Sequence, residues 1–193
     1  MVNRHFFEAV LMLLASSTIL SLELKPFLFQ QRRVNRESFK LLNTLRSSSI
    51  QQCLPHRKNF LLPHKSVNPQ QFQKRHTLAI LHEMLQQIFN LFSANVSPDD
   101  WEEHYKEKFL IELHEQLDYL EGLMELEAEQ KNDALDSEDR RLHVKKYFRR
   151  IRNYLENHKY SSCAWTIVQV EIKRCLFLVL RLIGKLSTEG MDS

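Results

Sequence analysis

Apolar residues recur every three or four positions along most of the chain, with polar residues between them. This spacing is clear from 81 to 92, from 101 to 124, from 144 to 155 and from 165 to 186. It is weaker from 27 to 45. A single apolar stripe at this period is typical of an α-helix that packs one face against a core. The pattern predicts five helices, at 23–45, 70–94, 98–124, 137–157 and 162–187.

Polar residues mark several of the predicted helix starts. Ser97-Pro98, the acidic run 136–139 and the serine pair 161–162 each precede an apolar stripe, as helix caps do. By contrast, three prolines and a serine run between 46 and 71 predict a long loop. Residues 125–136 are polar and predict a second connection.

The glycine content limits the possible folds. Only 3 of the 193 residues are glycine, which leaves little material for phosphate-binding loops or tight β-hairpins. Nucleotide-binding enzymes and all-β folds are therefore not expected. With long connections between helices, we expect an all-α, five-helix up-up-down-down cytokine bundle with a long first crossover loop. The last helix is expected in its core, because four cations along it argue against a membrane span.

Residues 1–21 have the pattern of a secretory signal peptide. A weakly basic start at Arg4 and His5 precedes an apolar run, and small residues follow it. Cleavage could fall after Ser17, with Ala15 at the −3 position, or after Ser21. The small-residue rule alone slightly prefers Ser17, because Ile19 is a poor −3 residue, and an uncleaved buried helix is the alternative. We expect a signal at 1–21 and one secreted helical domain at 22–193.

The three cysteines allow one disulfide and one free thiol in a secreted protein. Cys163 and Cys175 lie on one predicted helix, about 18 Å apart at 1.5 Å per residue, which is beyond disulfide reach. The bridge is therefore expected to start at Cys53, with either of the other two as partner. Cys175 lies on the apolar stripe and is expected to be a buried, unreactive thiol.

No arrangement of residues indicates catalysis or metal binding. His82-Glu83 begins like a zinc-protease motif, but residue 86 is Gln instead of the second histidine. We therefore expect no enzyme activity, no metal and no cofactor. The net charge of +3 does not by itself indicate a nucleic-acid partner.

Two surface features have more than one interpretation. The basic strip Arg141, Lys145, Arg149 and Arg152 follows one face of the fourth predicted helix. It is either a solvated face, a surface for a protein partner or a site for heparin or nucleic acid, although no aromatic platform accompanies it. Asn95 begins a glycosylation sequon, which Pro98 directly after it makes less favourable.

Four motifs are distributed over the chain: Cys53-Leu54-Pro55-His56-Arg57-Lys58-Asn59-Phe60, Leu81-His82-Glu83-Met84-Leu85-Gln86-Gln87-Ile88-Phe89, Lys146-Tyr147-Phe148 with Arg150-Ile151, and Cys163-Ala164-Trp165 with Val170-Glu171-Ile172. Together they resemble the type I interferon family, over essentially the whole chain after residue 21. The resemblance implies a Cys53–Cys163 disulfide, a free Cys175 and cleavage after Ser21. It also implies a monomeric secreted cytokine that bridges two receptor subunits, activates Janus kinases and induces antiviral genes.

The resemblance implies two receptor-binding faces. The high-affinity subunit would contact the first long loop and the last helix, at Leu54, Arg57, Gln169, Val170, Lys173 and Arg174. Arg57 would be the main anchor. On the last helix, spacing places 166, 169, 170, 173 and 177 on one face, away from the core stripe. The low-affinity subunit would contact helices two to four, at Gln86, Phe89, Asn90, His104, Leu110, His114 and Lys145. Phe89 falls beside the core stripe, so partial burial is an alternative for it.

The chain departs from the family pattern at several positions. Many relatives have a second disulfide, whose positions here are Leu22 and Leu123. Gln169 replaces a usual arginine, Lys173 replaces a usual apolar contact, and the third helix has Leu110 and His114 at aromatic positions. Fewer anchors predict weaker binding to both subunits than the strongest relatives show. The alternatives are a helical cytokine of another receptor family and a secreted cationic protein acting on microbes or glycosaminoglycans.

Overall fold

The computed structural model describes residue 26 and the ranges 28–45, 49–67, 74–94, 101–128 and 134–189. Within these residues all regular structure is helical. The helices are α1 (28–44), α2 (Ile50–Cys53), α3 (Lys74–Ser93), α4 (Glu103–Ala128), α5 (Ala134–Asn157) and α6 (Ser162–Glu189). The expected signal peptide, Leu22 and the sequon at Asn95 lie outside the described residues.

The predicted start of α4 at residue 98 is wrong by about one turn, because Trp101 and Glu102 are not helical. The Trp101 ring is instead buried in an aromatic cluster ahead of the helix. Its centroid lies 4.9 Å from that of Trp165 and 5.7 Å from that of Phe92. Helix α4 therefore begins after this ring, which packs against Phe92 of α3 and Trp165 of α6.

The predicted polar connection at 125–136 is also shorter than expected. Helix α4 continues to Ala128, and α5 already begins at Ala134. Residues 125–128 are Glu-Leu-Glu-Ala, all good helix formers. Their helix propensity accounts for the extension of α4 through a segment whose polarity had indicated a link.

The predicted loop between 46 and 71 contains more structure than expected. It includes α2 and two 3₁₀ turns, Leu54–His56 and His64–Val67. Phe60 and Val67 are each 1% exposed. Because these side chains are buried, the segment contributes to the hydrophobic core. The hydrophobic effect favours the burial of such large apolar groups.

Helices α3 and α6 form the centre of the bundle. Helix α3 packs against α4, α5 and α6. Apolar residues on more than one side of α6 are buried, which confirms the prediction of a central core helix: Trp165, Ile167, Val168, Ile172, Leu176, Leu178, Val179, Leu182, Ile183 and Leu186. Among the described helices, none combines the length and apolar character needed to cross a membrane.

Helix α1 joins the bundle through a seam of buried polar side chains. Gln31 donates a hydrogen bond from Nε2 to Gln116 Oε1 on α4. Asn35 donates from Nδ2 to the Leu176 carbonyl on α6, at 3.1 Å. Ser38 is also fully buried. These polar residues on the buried face explain why the apolar stripe of the first helix is weak.

Candidate interaction faces

Cys53 and Cys163 form a disulfide that ties the first long connection to the last helix. Cys53 ends α2 and Cys163 lies in the first turn of α6, with 5.1 Å between their Cα atoms. Ser161 caps α6, since its Oγ accepts a hydrogen bond from the Ala164 N–H at 3.3 Å. The bridge joins residues 110 positions apart. It is the pairing that the family resemblance implied, and it leaves Cys175 as the free thiol.

The connection is also clamped to α5. Arg150 donates from Nε to the Phe60 carbonyl at 2.8 Å and from Nη2 to the Leu61 carbonyl at 2.9 Å. The Tyr154 hydroxyl donates to the His56 carbonyl at 2.8 Å. The Phe60 ring meets the Tyr154 ring edge-to-face, with 5.2 Å between centroids. Sequence reasoning missed both clamps, and the only available signal was that Arg150 belongs to a family motif.

A tight turn shapes the segment between these clamps. Leu61 has φ of 57°, in the left-handed region that apolar side chains rarely adopt. The Asn59 Oδ1 accepts a hydrogen bond from the Leu61 N–H at 3.0 Å, which supports the turn. Leu61 at this turn is 62% exposed.

The clamped segment and α6 enclose an open cleft of about 520 Å³. Arg174 on α6 donates from Nη2 to His64 Nε2 at 3.1 Å and lies 3.6 Å from Glu171. The lining residues are Arg57, Lys58, Asn59, Leu61, Leu62, His64, Glu171 and Arg174. Two of the residues assigned to the high-affinity face, Arg57 and Arg174, therefore line the same cleft.

The other residues assigned to this face differ in exposure. Leu54 and Val170 are exposed. Lys173 is half-buried, and burial lowers the pKa of its ammonium group. Gln169 is only 2% exposed, so its side chain does not lie on the surface where it was expected.

The burial of Gln169 has a structural reason. Cys163, Thr166 and Gln169 follow one another at steps of three along α6, so they share one side of the helix. The disulfide places α2 against that helix. Thr166 is likewise 3% exposed. The predicted face is therefore narrower than expected, and Val170, Lys173 and Phe177 remain accessible on it.

The residues assigned to the low-affinity face include a contact between α3 and α4. On α3, Gln86 donates from Nε2 to Asn90 Oδ1 at 3.1 Å. Phe89 is half-buried, and its ring centroid lies 6.1 Å from that of His114 on α4. The His114 ring also lies 3.6 Å from the Asp118 carboxylate, and both of these side chains are mostly exposed.

The remaining residues of this set lie on α4 and α5. His104 is exposed and Leu110 is half-buried on α4. On α5, Lys145 Nζ lies 3.8 Å from carboxylate oxygens of both Glu83 and Glu138. The structure therefore brings α3, α4 and α5 together at this surface. Among the described residues of these helices, the large apolar side chains that are exposed are Ile111 on α4 and Leu142 on α5.

The basic strip on α5 is partly used for internal contacts. Buried Glu83 accepts a hydrogen bond from Gln87 Nε2 at 2.8 Å, and Gln87 Oε1 accepts one from Arg152 at 2.8 Å. Burial lowers the pKa of Arg152. Lys145 Nζ lies 3.8 Å from the same Glu83 carboxylate. Two of the four strip residues thus anchor α5 to α3 rather than standing free in solvent.

The free thiol Cys175 is buried, and its surroundings make it unreactive. Its Sγ lies 3.3 Å from the Tyr147 hydroxyl, which donates to Glu171 Oε1 at 2.5 Å. Burial raises the pKa of the Cys175 thiol to about 12 and also raises the pKa of Tyr147. A thiol with so high a pKa stays protonated and is a poor nucleophile. Within the described residues, no group of His, Cys, Asp or Glu side chains could hold a metal ion.

Comparisons with known proteins agree with this architecture. Zebrafish interferon 1 has the same fold, with a TM-score of 0.69 at 18% identity, covering 83% of this chain and 99% of that one. Interferon epsilon of Sus scrofa is 69% identical over 192 residues, covering the whole of both chains. Interferon epsilon of Homo sapiens is 67% identical and covers 98% of this chain and 91% of that protein. Residues 27–186 match the interferon alpha/beta domain. The predicted resemblance and all-α fold are confirmed, and the chain belongs to the type I interferon family, whose members are signalling cytokines and not enzymes.

Proposed function

We propose that the chain is secreted after loss of residues 1–21 and bridges the two subunits of the type I interferon receptor. The bridge would bring the receptor-bound Janus kinases together and start STAT signalling, which induces antiviral and innate immune genes. Family membership supports the cytokine role. Two separate surfaces, one on the clamped loop and α6 and one on α3 to α5, support a ligand with two partners.

The observation that carries the proposal is the joining of the loop to α6. The disulfide fixes one end of the segment 53–62, and Arg150 holds the other end through two backbone carbonyls. Exposed residues from both elements, Arg57 and Arg174, therefore line one cleft. A surface that is ordered before binding loses less conformational entropy when the partner docks.

Arg57 is the residue that we assign as the main anchor for the high-affinity subunit. Its side chain is exposed and has no ion-pair partner among the described residues. An arginine fork can form two parallel hydrogen bonds to a carboxylate or to backbone carbonyls. Removing such an anchor from the centre of an interface commonly costs about 2 kcal/mol or more.

The second surface has the character of a weaker site. Phe89 is half-buried, and Lys145 is already paired with carboxylates. Paired surface charges contribute little to binding, since they must exchange one partner for another. We therefore assign the surface of Gln86, Phe89, Asn90, His104, Leu110, His114 and Lys145 to the low-affinity subunit.

The test is binding of the oxidised protein, residues 22–193, to each immobilised receptor ectodomain. We expect Arg57→Ala to weaken binding to the high-affinity subunit about 30-fold, the equivalent of about 2 kcal/mol. Arg149→Ala is the matched control, because Arg149 is exposed on α5 and lies outside the cleft. It should change that affinity less than about twofold, as surface substitutions away from an interface do.

Two results would argue against the proposal in different ways. Binding that is equally strong in wild type and Arg57→Ala would remove the cleft from the receptor face while keeping the receptor as partner. Absence of binding to either ectodomain, by a sample with the Cys53–Cys163 bridge intact and helical circular dichroism, would reject the receptor itself.

A further inference from the structure

We propose that the cleft between residues 57–64 and α6 binds sulfate groups of an extracellular sulfated polysaccharide. This inference goes beyond receptor binding and does not depend on it. It rests on the charge of the lining, on the fixed geometry of the walls and on the volume enclosed.

The lining has an excess of positive charge. Arg57, Lys58 and Arg174 face a single carboxylate, Glu171, which leaves a net charge of +2 when His64 is neutral. That carboxylate already accepts a hydrogen bond from the Tyr147 hydroxyl at 2.5 Å and lies 3.6 Å from Arg174. Arg57 and Lys58 have no side-chain partner among the described residues, so their charges remain available to an anion.

The walls of the cleft are held in place. Arg150 binds the Phe60 and Leu61 carbonyls from behind, and Asn59 closes the turn through the Leu61 N–H. On the opposite wall, the hydrogen bond to His64 fixes the Arg174 guanidinium toward the loop. Arg174, held in this way, loses less conformational entropy when it binds an anion than the exposed side chains of Arg57 and Lys58 do.

The volume of the cleft suits a sugar unit. The cleft encloses about 520 Å³, which is within the range of sites that hold small organic ligands. A sulfated disaccharide unit would fill the cleft and bring two anionic groups to its cations, with the exposed Leu61 side chain against the ring.

The same comparison argues against the α5 strip as the polysaccharide site. There, Lys145 is within 3.8 Å of two carboxylates, and Arg152 donates to Gln87. Cations that are already paired must lose these contacts before they bind a sulfate. In the cleft this holds for Arg174 but not for Arg57 and Lys58, which have no side-chain partner among the described residues. The structure therefore favours the cleft over the strip that the sequence pattern had indicated.

The test is binding to immobilised heparin oligosaccharide at about 0.15 M salt, where long-range attraction is screened. We expect the double variant Arg57→Gln/Lys58→Gln to bind about tenfold more weakly than wild type, for two lost charge-assisted contacts. The matched control is Arg33→Gln/Arg36→Gln, which removes the same charge from exposed positions on α1. It should weaken binding less than about twofold.

A competition arm separates a sulfated polymer from a free anion. Inorganic sulfate at the same ionic strength as chloride should displace the wild type only at much higher concentration than the oligosaccharide does. Equal losses in the two double variants would show attraction to the overall charge and overturn the proposal. Absence of heparin binding by wild type would overturn it as well, whatever the receptor experiments give.

Discussion

At the scale of single residues, the buried thiol Cys175 makes the folded protein less stable at alkaline pH. In the folded protein burial raises its pKa to about 12, whereas an unfolded thiol ionises near 8.5. The thiol therefore contributes its full stabilisation below about pH 8.5. The contribution is lost as the pH rises toward the folded pKa, because only the unfolded chain can release the proton.

We predict a loss of about 1 kcal/mol in unfolding free energy between pH 8.5 and 9.5 from this residue, because the unfolded thiol is half ionised at pH 8.5 and the slope only then approaches 1.36 kcal/mol per pH unit. The measurement is urea unfolding of wild type and Cys175→Ser at several pH values. The serine variant keeps a hydroxyl beside Tyr147 but does not titrate in this range. Parallel slopes for the two proteins would contradict the prediction, whatever their absolute stabilities.

At the scale of elements, the clamp between α5 and the first long connection predicts a specific loosening. Arg150→Gln removes two charge-assisted hydrogen bonds to the Phe60 and Leu61 carbonyls. We expect stability to fall by about 2 kcal/mol, in the range measured for hydrogen bonds to charged groups. Amide exchange should accelerate most in residues 56–64, since local opening follows the loss of local contacts.

Lys146→Gln is the control for this clamp, because Lys146 is exposed one turn earlier on α5. It removes the same charge without touching the carbonyls. If both variants exchanged at the same rate over 56–64, the disulfide and the Phe60 ring alone would hold the segment. The Arg150 hydrogen bonds would then have no structural effect.

The helices could be predicted from the sequence because their apolar stripes coincide with the core. The spacing alone predicts that Leu81, Leu85, Ile88 and Phe92 lie in the core, and all four are buried. Boundaries were harder, since they depend on contacts distant in sequence. The start of α4 depends on how Trp101 packs against Trp165, and local cap signals at 97–100 carry no information on that contact.

The interaction faces could be predicted less completely for a related reason. Helical spacing correctly separates the core side of α6 from an outer side, but it does not show what covers the outer side. The spacing predicts polar Gln169 on the outer side, yet it is buried on the same side of α6 as Cys163, whose disulfide places α2 against that helix. The clamps at Arg150 and Tyr154 were missed because their acceptors are backbone carbonyls, which carry no sequence pattern.

At the scale of the whole molecule, the two surfaces lie on different sets of elements around one rigid core. The first consists of the clamped loop and α6, and the second of α3, α4 and α5. Substitutions at well-separated positions without shared partners usually change free energies additively. The exposed side chains Arg57 and His114 meet this condition, since they have no common partner among the described contacts.

We therefore predict that the proposed receptor faces act independently. His114→Ala should weaken binding to the low-affinity subunit, by about threefold to tenfold for a contact of moderate worth, and leave the high-affinity subunit unaffected. In the ternary complex, the effects of Arg57→Ala and His114→Ala should add within about 0.5 kcal/mol. The measurement is ternary-complex formation on a membrane carrying both ectodomains, with each single variant and the double variant.

If the double variant loses clearly more or less binding free energy than the sum of the two single variants, the bundle transmits strain between the faces. The most direct route for such strain is α5, which binds the loop through Arg150 and pairs with α3 through Lys145. Additivity, in contrast, would assign the core a passive role: it holds two binding surfaces at a fixed separation, and each surface selects its own subunit.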